Sequence, residues 1–258
     1  MPSAIVKGLK INYIAGEGLE KSRPNILMIH GAGQSSLTWE YQVDELKKHS
    51  KFNLFILDLP GHGKSEGSGL SSIKEYSGFI KDFTDALVLE KLILVGHSMG
   101  GGIAQVFTID YPDTVFACVL AGTGARLRVA KETLESVKNN YEAYCKIAPT
   151  RAFASSSPED LKRRFVNGIL RTPQSVVHLD FIACDEFDIM SETGKIKVPT
   201  LIISATEDIL TPVKYGEYLH NRIEGSKFHV IKDVGHFMMQ EKADEFNRVL
   251  LEFLISLY

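Results

Sequence analysis

The chain has 258 residues, 44% hydrophobic and 24% charged, a make-up that excludes collagen-like, coiled-coil and disordered architectures. With 29 Lys and Arg against 32 Asp and Glu, the net charge of −3 gives no bulk attraction to nucleic acid or to an anionic membrane. No apolar run approaches the ~18 residues of a membrane span, residues 1–7 lack the basic-then-apolar order of a secretory signal, and three scattered cysteines (Cys118, Cys145, Cys184) suit neither a disulfide framework nor a four-cysteine zinc site. The expectation is a cytoplasmic protein without metal or other cofactor, and the oligomeric state is left open.

In chain order, 5–6 and 9–14 flank Gly8 and read as a short antiparallel pair. Continuous apolar runs then follow at 26–29, 54–57, 92–95, 115–120, 201–203 and 228–231, each stopped by small or polar residues. Short unbroken runs of this kind suit strands buried on both faces of a parallel sheet. Helix-period stretches lie between them at 37–49, 73–89, 99–111, 213–223 and 243–257. Pro112 stops one helix, and Thr211-Pro212 reads as an N-cap with proline in the first turn of another. Alternation of this sort makes a doubly wound α/β sheet with helices on both faces. Residues 129–195 break the rhythm: helical patterns at 131–147, 158–170 and 173–190 are split at Pro149, at Ser155–Pro158 and at Thr172-Pro173. This stretch reads as an inserted all-helical cap (lid), with a core formed by 1–128 and 196–258.

Gly96-His97-Ser98-Met99-Gly100 follows an apolar run and precedes a helix. A serine on such a tight strand-to-helix turn is lifted clear of the sheet, and the flanking glycines remove Cβ atoms that would collide there. The alternative is a glycine-rich turn in which Ser98 merely caps the helix. A serine hydroxyl needs a base held by a third group, and in this architecture the order is nucleophile, acid, histidine. Of eight histidines, only His220, His229 and His236 lie beyond the cap. His220 falls in a helix and His229 in a strand run, whereas His236 sits on the loop after the last strand and is the expected base. Asp208, on the loop after 201–204, is the expected acid; Glu207 is its local rival, and Asp233 is close enough to His236 to shape its turn. The loop His30-Gly31-Ala32-Gly33-Gln34 follows the first central strand and supplies backbone donors to an oxyanion hole: the N–H groups of Ala32 and Met99, with Gly33 or Gln34 as the fallback.

These residues make the chain resemble the α/β-hydrolase superfamily over nearly its whole length. The supporting motifs are His30-Gly31-Ala32-Gly33, Asp58-Leu59-Pro60-Gly61-His62-Gly63-Lys64-Ser65, Gly96-His97-Ser98-Met99-Gly100-Gly101, Glu207-Asp208 with Thr211-Pro212, and Gly235-His236. The resemblance implies an eight-stranded, mostly parallel sheet with a cap after strand six. It also implies a structural role for 58–65, and His30 and His97 are read as structural too.

Two other readings fail. Gly61–Ser65 ends like a phosphate loop, but Asp58 stands where its first glycine belongs, and no histidine pair has zinc-ligand spacing. The expected activity is hydrolysis of carboxylic esters with small or medium acyl or aromatic groups through an acyl-enzyme on Ser98. Cleavage of a carbon–carbon bond, lactone or thioester on the same triad, and a ligand-sensing hydrolase scaffold, are the alternatives. The pocket is expected to draw on Trp39, Tyr144, Phe153, Phe181 and Phe187, with Met99 on the acyl side; Arg126 and Arg128 are candidates for holding a substrate carboxylate.

Overall fold

The computed structural model describes residues 2–16, 18–49 and 51–258. Its strands are β1 (Ser3–Val6), β2 (Leu9–Ala15), β3 (Asn25–Ile29), β4 (Asn53–Leu57), β5 (Leu92–His97), β6 (Val115–Ala121), β7 (Thr200–Ala205) and β8 (Lys227–Ile231). They form one sheet in the order β1-β2-β4-β3-β5-β6-β7-β8. β1 pairs antiparallel with β2 and β2 with β4, while every pairing from β4 to β8 is parallel.

The apolar runs explain the layers. In β3 the side chains of Ile26 and Met28 join one core and those of Leu27 and Ile29 the other; β4 and β5 alternate in the same way. The helices are α1 (Glu40–Lys47), α2 (Ile73–Ala86), α3 (Met99–Asp110), α4 (Lys131–Asn139), α5 (Tyr141–Ala152), α6 (Glu159–Ile169), α7 (Gln174–Glu186), α8 (Val213–Arg222), α9 (Met238–Glu241) and α10 (Ala243–Ile255). The apolar residues of α2, α3 and α8 cover one face, and those of α1 and α10 cover the other. β4 and β5 flank β3 on opposite sides, so the chain reverses direction across the sheet there. The loops leaving β3 and β5 therefore diverge and open a crevice at the carboxyl ends of the strands, where open α/β sheets bind ligands.

Helices α4–α7 stand between β6 and β7 over that end of the sheet. Their neck is pinned where Ile189 donates its N–H to Ala125 and Arg126 bridges to Asp188. Three details differ from the sequence reading. The expected helix 131–147 is two helices, because Asn140 (φ −150°, ψ 60°) leaves helical geometry. Pro149 lies inside α5 and does not split it. Thr211 is not an N-cap: Pro212 holds that position without a side-chain bond, and the Thr211 hydroxyl is used elsewhere. No helix of the described residues is long and apolar enough to cross a membrane.

Candidate active site

Ser98 sits at the junction of β5 and α3 with φ 54° and ψ −118°, a left-handed conformation that a side chain rarely adopts. The turn around it forces the strain. A Cβ at position 96 would stand 2.3 Å from the Gly100 carbonyl oxygen, and one at position 100 would stand 2.3 Å from that of Ile29. Ser98 donates its N–H to Ala121 and accepts the Thr123 hydroxyl on its carbonyl at 2.8 Å, so β6 and the loop after it hold the turn. No protein group bonds the Ser98 hydroxyl among the described residues, and its side chain lines a cavity of about 240 Å³.

His236 lines the same cavity. Its Nδ1 lies 2.8 Å from Asp208 Oδ2 and 3.2 Å from Thr211 Oγ1. Asp208 is buried, and its oxygens accept four bonds in all: the N–H of Leu210 and of Thr211 on Oδ1, the Thr211 hydroxyl and His236 on Oδ2. Burial pushes the Asp208 carboxyl up, but the His236 charge and these donors outweigh it and hold its pKa down at about 2. An ionised Asp208 can only accept, so Nδ1 of His236 carries a proton and Nε2 is the ring nitrogen that Asp208 leaves unengaged. Glu207 is exposed, and its side chain takes no part.

The loop after β3 brings its backbone to the same point. A Cβ on Gly31 would lie 3.1 Å from Ser98 Cβ. Two of the expected donors are already engaged: Gly33 gives its N–H to Asp180 Oδ2 at 2.7 Å, and Gln34 gives its own to the Gly31 carbonyl at 3.2 Å. The fallback donors are thus occupied. Among the described residues no protein acceptor takes the N–H of Ala32 or Met99.

The walls agree only in part with the sequence reading. Tyr144 and Phe181 line the cavity, together with Phe165, Ile169, Leu210 and Phe237. Trp39, Phe153 and Phe187 do not. Trp39 is fully buried against His97 and Phe246, and Phe153 stacks behind Phe237 with centroids 5.1 Å apart. Phe187 packs beside Gly102 of α3, and Met99 is buried in the core. Aromatic residues at helical spacing satisfy a core as readily as a cavity, and only packing separates the two. Among the described residues, Arg128 and Arg151 supply all the Lys or Arg charge on the lining, and no carboxylate lines it. Arg126 instead faces Asp188 at 3.7 Å.

Three other histidines, His30, His62 and His97, are buried in the scaffold. His30 accepts the Leu59 N–H on Nε2, and burial and then the nearby His62 lower its pKa to about 4. His97 bonds the His236 carbonyl through Nε2, and burial followed by the His236 charge keeps it neutral beside that ring. Asp58 accepts from Asn12, Ser36 and Lys64, a turn-holding role that matches the reading of 58–65. His62 was expected to be part of that turn, yet it also pairs with Asp180 of α7 at 2.8 Å. Sequence reasoning missed Asp180 and Thr211. An acid on the apolar stripe Val176, Val177, Ala183, Cys184 was the available signal for the first. The three cysteines are free and buried, and burial pushes their thiols up.

A strained serine, a histidine held by a buried aspartate and two unclaimed N–H groups on a doubly wound sheet define a hydrolase of the α/β-hydrolase fold. The family model described as serine aminopeptidase, S33, matches residues 20–243, and the chain belongs to that family. It is 28% identical to a 2-hydroxy-6-oxo-6-phenylhexa-2,4-dienoate hydrolase of Comamonas testosteroni, over 93% of this chain and 89% of the relative. The enol-lactonase of Burkholderia xenovorans superposes with a TM-score of 0.91 at 26% identity, covering 98% of this chain and all of the other. A thermophilic esterase superposes at 0.83 with 34% identity, covering 99% and 97%.

Proposed function

We propose that the protein hydrolyses carboxylic esters of small or medium acyl or aromatic groups through an acyl-enzyme on Ser98. The observation that carries this is the shared cavity: the Ser98 hydroxyl and the free side of the Asp208-held His236 ring both open into it. His236 Nε2 takes the hydroxyl proton as Oγ attacks the ester carbon, and the N–H groups of Ala32 and Met99 bind the oxygen that becomes negative. Collapse breaks the C–O bond, and His236 returns the proton to the departing alcohol. Water, deprotonated by the same nitrogen, then releases the acid and restores Ser98. Asp208 fixes the imidazole tautomer and stabilises the imidazolium without taking its proton.

Residues 129–195 act as the cap that closes the cavity and supplies Tyr144, Phe165 and Phe181 to the acyl side. Burial pushes the Tyr144 hydroxyl up, so that wall stays uncharged. Arg128 and Arg151 give the mouth a positive rim in a chain of net charge −3, which favours an acyl group ending in a carboxylate. The free cysteines suit the cytoplasm. A second reading, cleavage of a lactone or carbon–carbon bond by the same serine, is favoured by the names of the lactonase and dienoate-hydrolase relatives.

The test is a p-nitrophenyl ester series from acetate upward, with p-nitrophenyl hemiglutarate as the anionic member, run beside a fluorophosphonate label. Ser98→Ala is expected to lose both labelling and turnover, by on the order of 10⁶ in kcat. Arg128→Gln with Arg151→Gln is expected to raise KM for the hemiglutarate alone. Labelling without turnover of any ester moves the assignment to the second reading, and ester turnover retained by Ser98→Ala ends the proposal.

A further inference from the structure

The cap reaches the oxyanion loop through side chains that the triad does not use. Asp180 projects from α7 into a fully buried site and accepts three donors: the Gly33 N–H at 2.7 Å, His62 Nε2 at 2.8 Å and the Tyr76 hydroxyl. Thr172, just before α7, donates its hydroxyl to the Gly33 carbonyl at 3.1 Å and is also buried. Both backbone groups of Gly33 are therefore gripped from the cap. Gly33 itself has φ 68°, and a Cβ there would press on Ile169 and Val177, two more cap residues, at 3.3 Å. The grip falls one residue after Ala32, whose N–H no protein group takes among the described residues.

We propose that Asp180 and Thr172 are positioning residues that aim the Ala32 N–H at the reacting oxygen, so that seating of the cap and assembly of the oxyanion hole are one event. The Gly33 N–H belongs to the peptide that joins Ala32 to Gly33. Fixing that peptide fixes the ψ angle of Ala32 and, with β3 anchoring the chain before His30, the direction of the preceding N–H. Positioning of this kind matters because the donor acts only at the tetrahedral stage, and a displacement near 1 Å costs about 10² in rate. A fully buried acid also has a reason to be tolerated here. Its cost is offset only while all its donors are in place, so it holds a single geometry where an apolar contact would slide. This rests on the reading of Ala32 as an oxyanion donor.

Three variants test it with two readouts, steady-state hydrolysis of p-nitrophenyl acetate and inhibition by an alkyl trifluoromethyl ketone. The ketone accepts Ser98 Oγ and becomes a hemiketal anion, so its affinity reports on the oxyanion donors, whereas packing alone does not move it. Thr172→Val keeps the shape and is expected to lower kcat about threefold to tenfold with KM within twofold. Asp180→Ala is expected to lower kcat by about 10². Asp180→Asn, which keeps an acceptor for the Gly33 N–H, recovers about tenfold of that loss. Ketone affinity follows kcat/KM through the series. If Asp180→Ala does not fold, Thr172→Val and Asp180→Asn decide. Folded variants with the kcat and ketone affinity of the parent overturn the proposal, as does a change confined to KM. A parent enzyme that shows no Ser98-dependent turnover overturns the functional reading instead.

Discussion

Two histidines in this protein meet a buried aspartate at 2.8 Å, His236 with Asp208 and His62 with Asp180, and the second nitrogen of each ring separates them. The other nitrogen of His236 opens into a cavity beside a serine. The other nitrogen of His62 lies 3.0 Å from the Pro60 carbonyl, so both of its ring nitrogens face acceptors that have no proton to give. Burial works against charging His62, but the Asp180 carboxylate and the bonds to Asp180 and Pro60 prevail and raise its pKa. The same pair of residue types thus leaves one ring nitrogen unengaged in His236 and neither in His62, where it works as a clamp.

The strongest way to break the contrast is Asp208→Asn, which keeps the volume but removes the charge that selects the tautomer. It is expected to lower kcat about 10⁴-fold with KM little changed, while Glu207→Gln stays within twofold. The reverse pattern in steady-state kinetics would move the acid to Glu207. Thr211→Val sharpens the comparison, because the hydroxyl it removes donates to Asp208 at 2.7 Å and lies 3.2 Å from His236. The expected fall in kcat is about threefold to tenfold, the scale of one hydrogen bond worth ~1 kcal/mol.

The smallest effect is on the pH dependence of stability. His62 has a raised folded pKa, so its contribution is complete below its ordinary value of 6.5 and is lost as pH rises through the folded value. Around it stand Asp180, Asp58, His30 and Tyr76, and His30 is neutral throughout this range. Melting followed by calorimetry from pH 6 to pH 9 is expected to show a falling Tm in the parent and a flatter line in His62→Gln. Equal slopes would mean that the pair is not charged. Asp208 has the opposite sign: its stabilisation is present above the ordinary carboxylate value of 3.8 and disappears as pH falls through about 2.

The convergence of Ser98, Asp208 and His236 was legible in the sequence because each lies beyond the end of a parallel strand, and the carboxyl ends of those strands share one edge. The cavity walls were not. Tyr144 and Phe187 look alike in the sequence as aromatics in helical patterns, yet one lines the cavity and the other, just past the end of α7, packs into the core under α3. That outcome depends on how α5 and α7 rotate against the sheet, which no local pattern encodes. Thr211 was read as a helix cap because its neighbours resemble one; its hydroxyl instead completes the shell of Asp208.

The sequence by itself determined the alternation of strand and helix, the place of the helical insertion and the three loops that meet at the sheet edge. Hydrophobic periodicity and the stereochemistry of glycine and proline act over a few residues and are written into the chain. The tertiary structure alone decided which N–H groups remain free, which aromatics face the cavity and how Asp180 reaches Gly33 across 147 positions. Those outcomes are set by competition among buried donors and acceptors from distant segments, and that competition exists only once α4–α7 have packed over the end of the sheet.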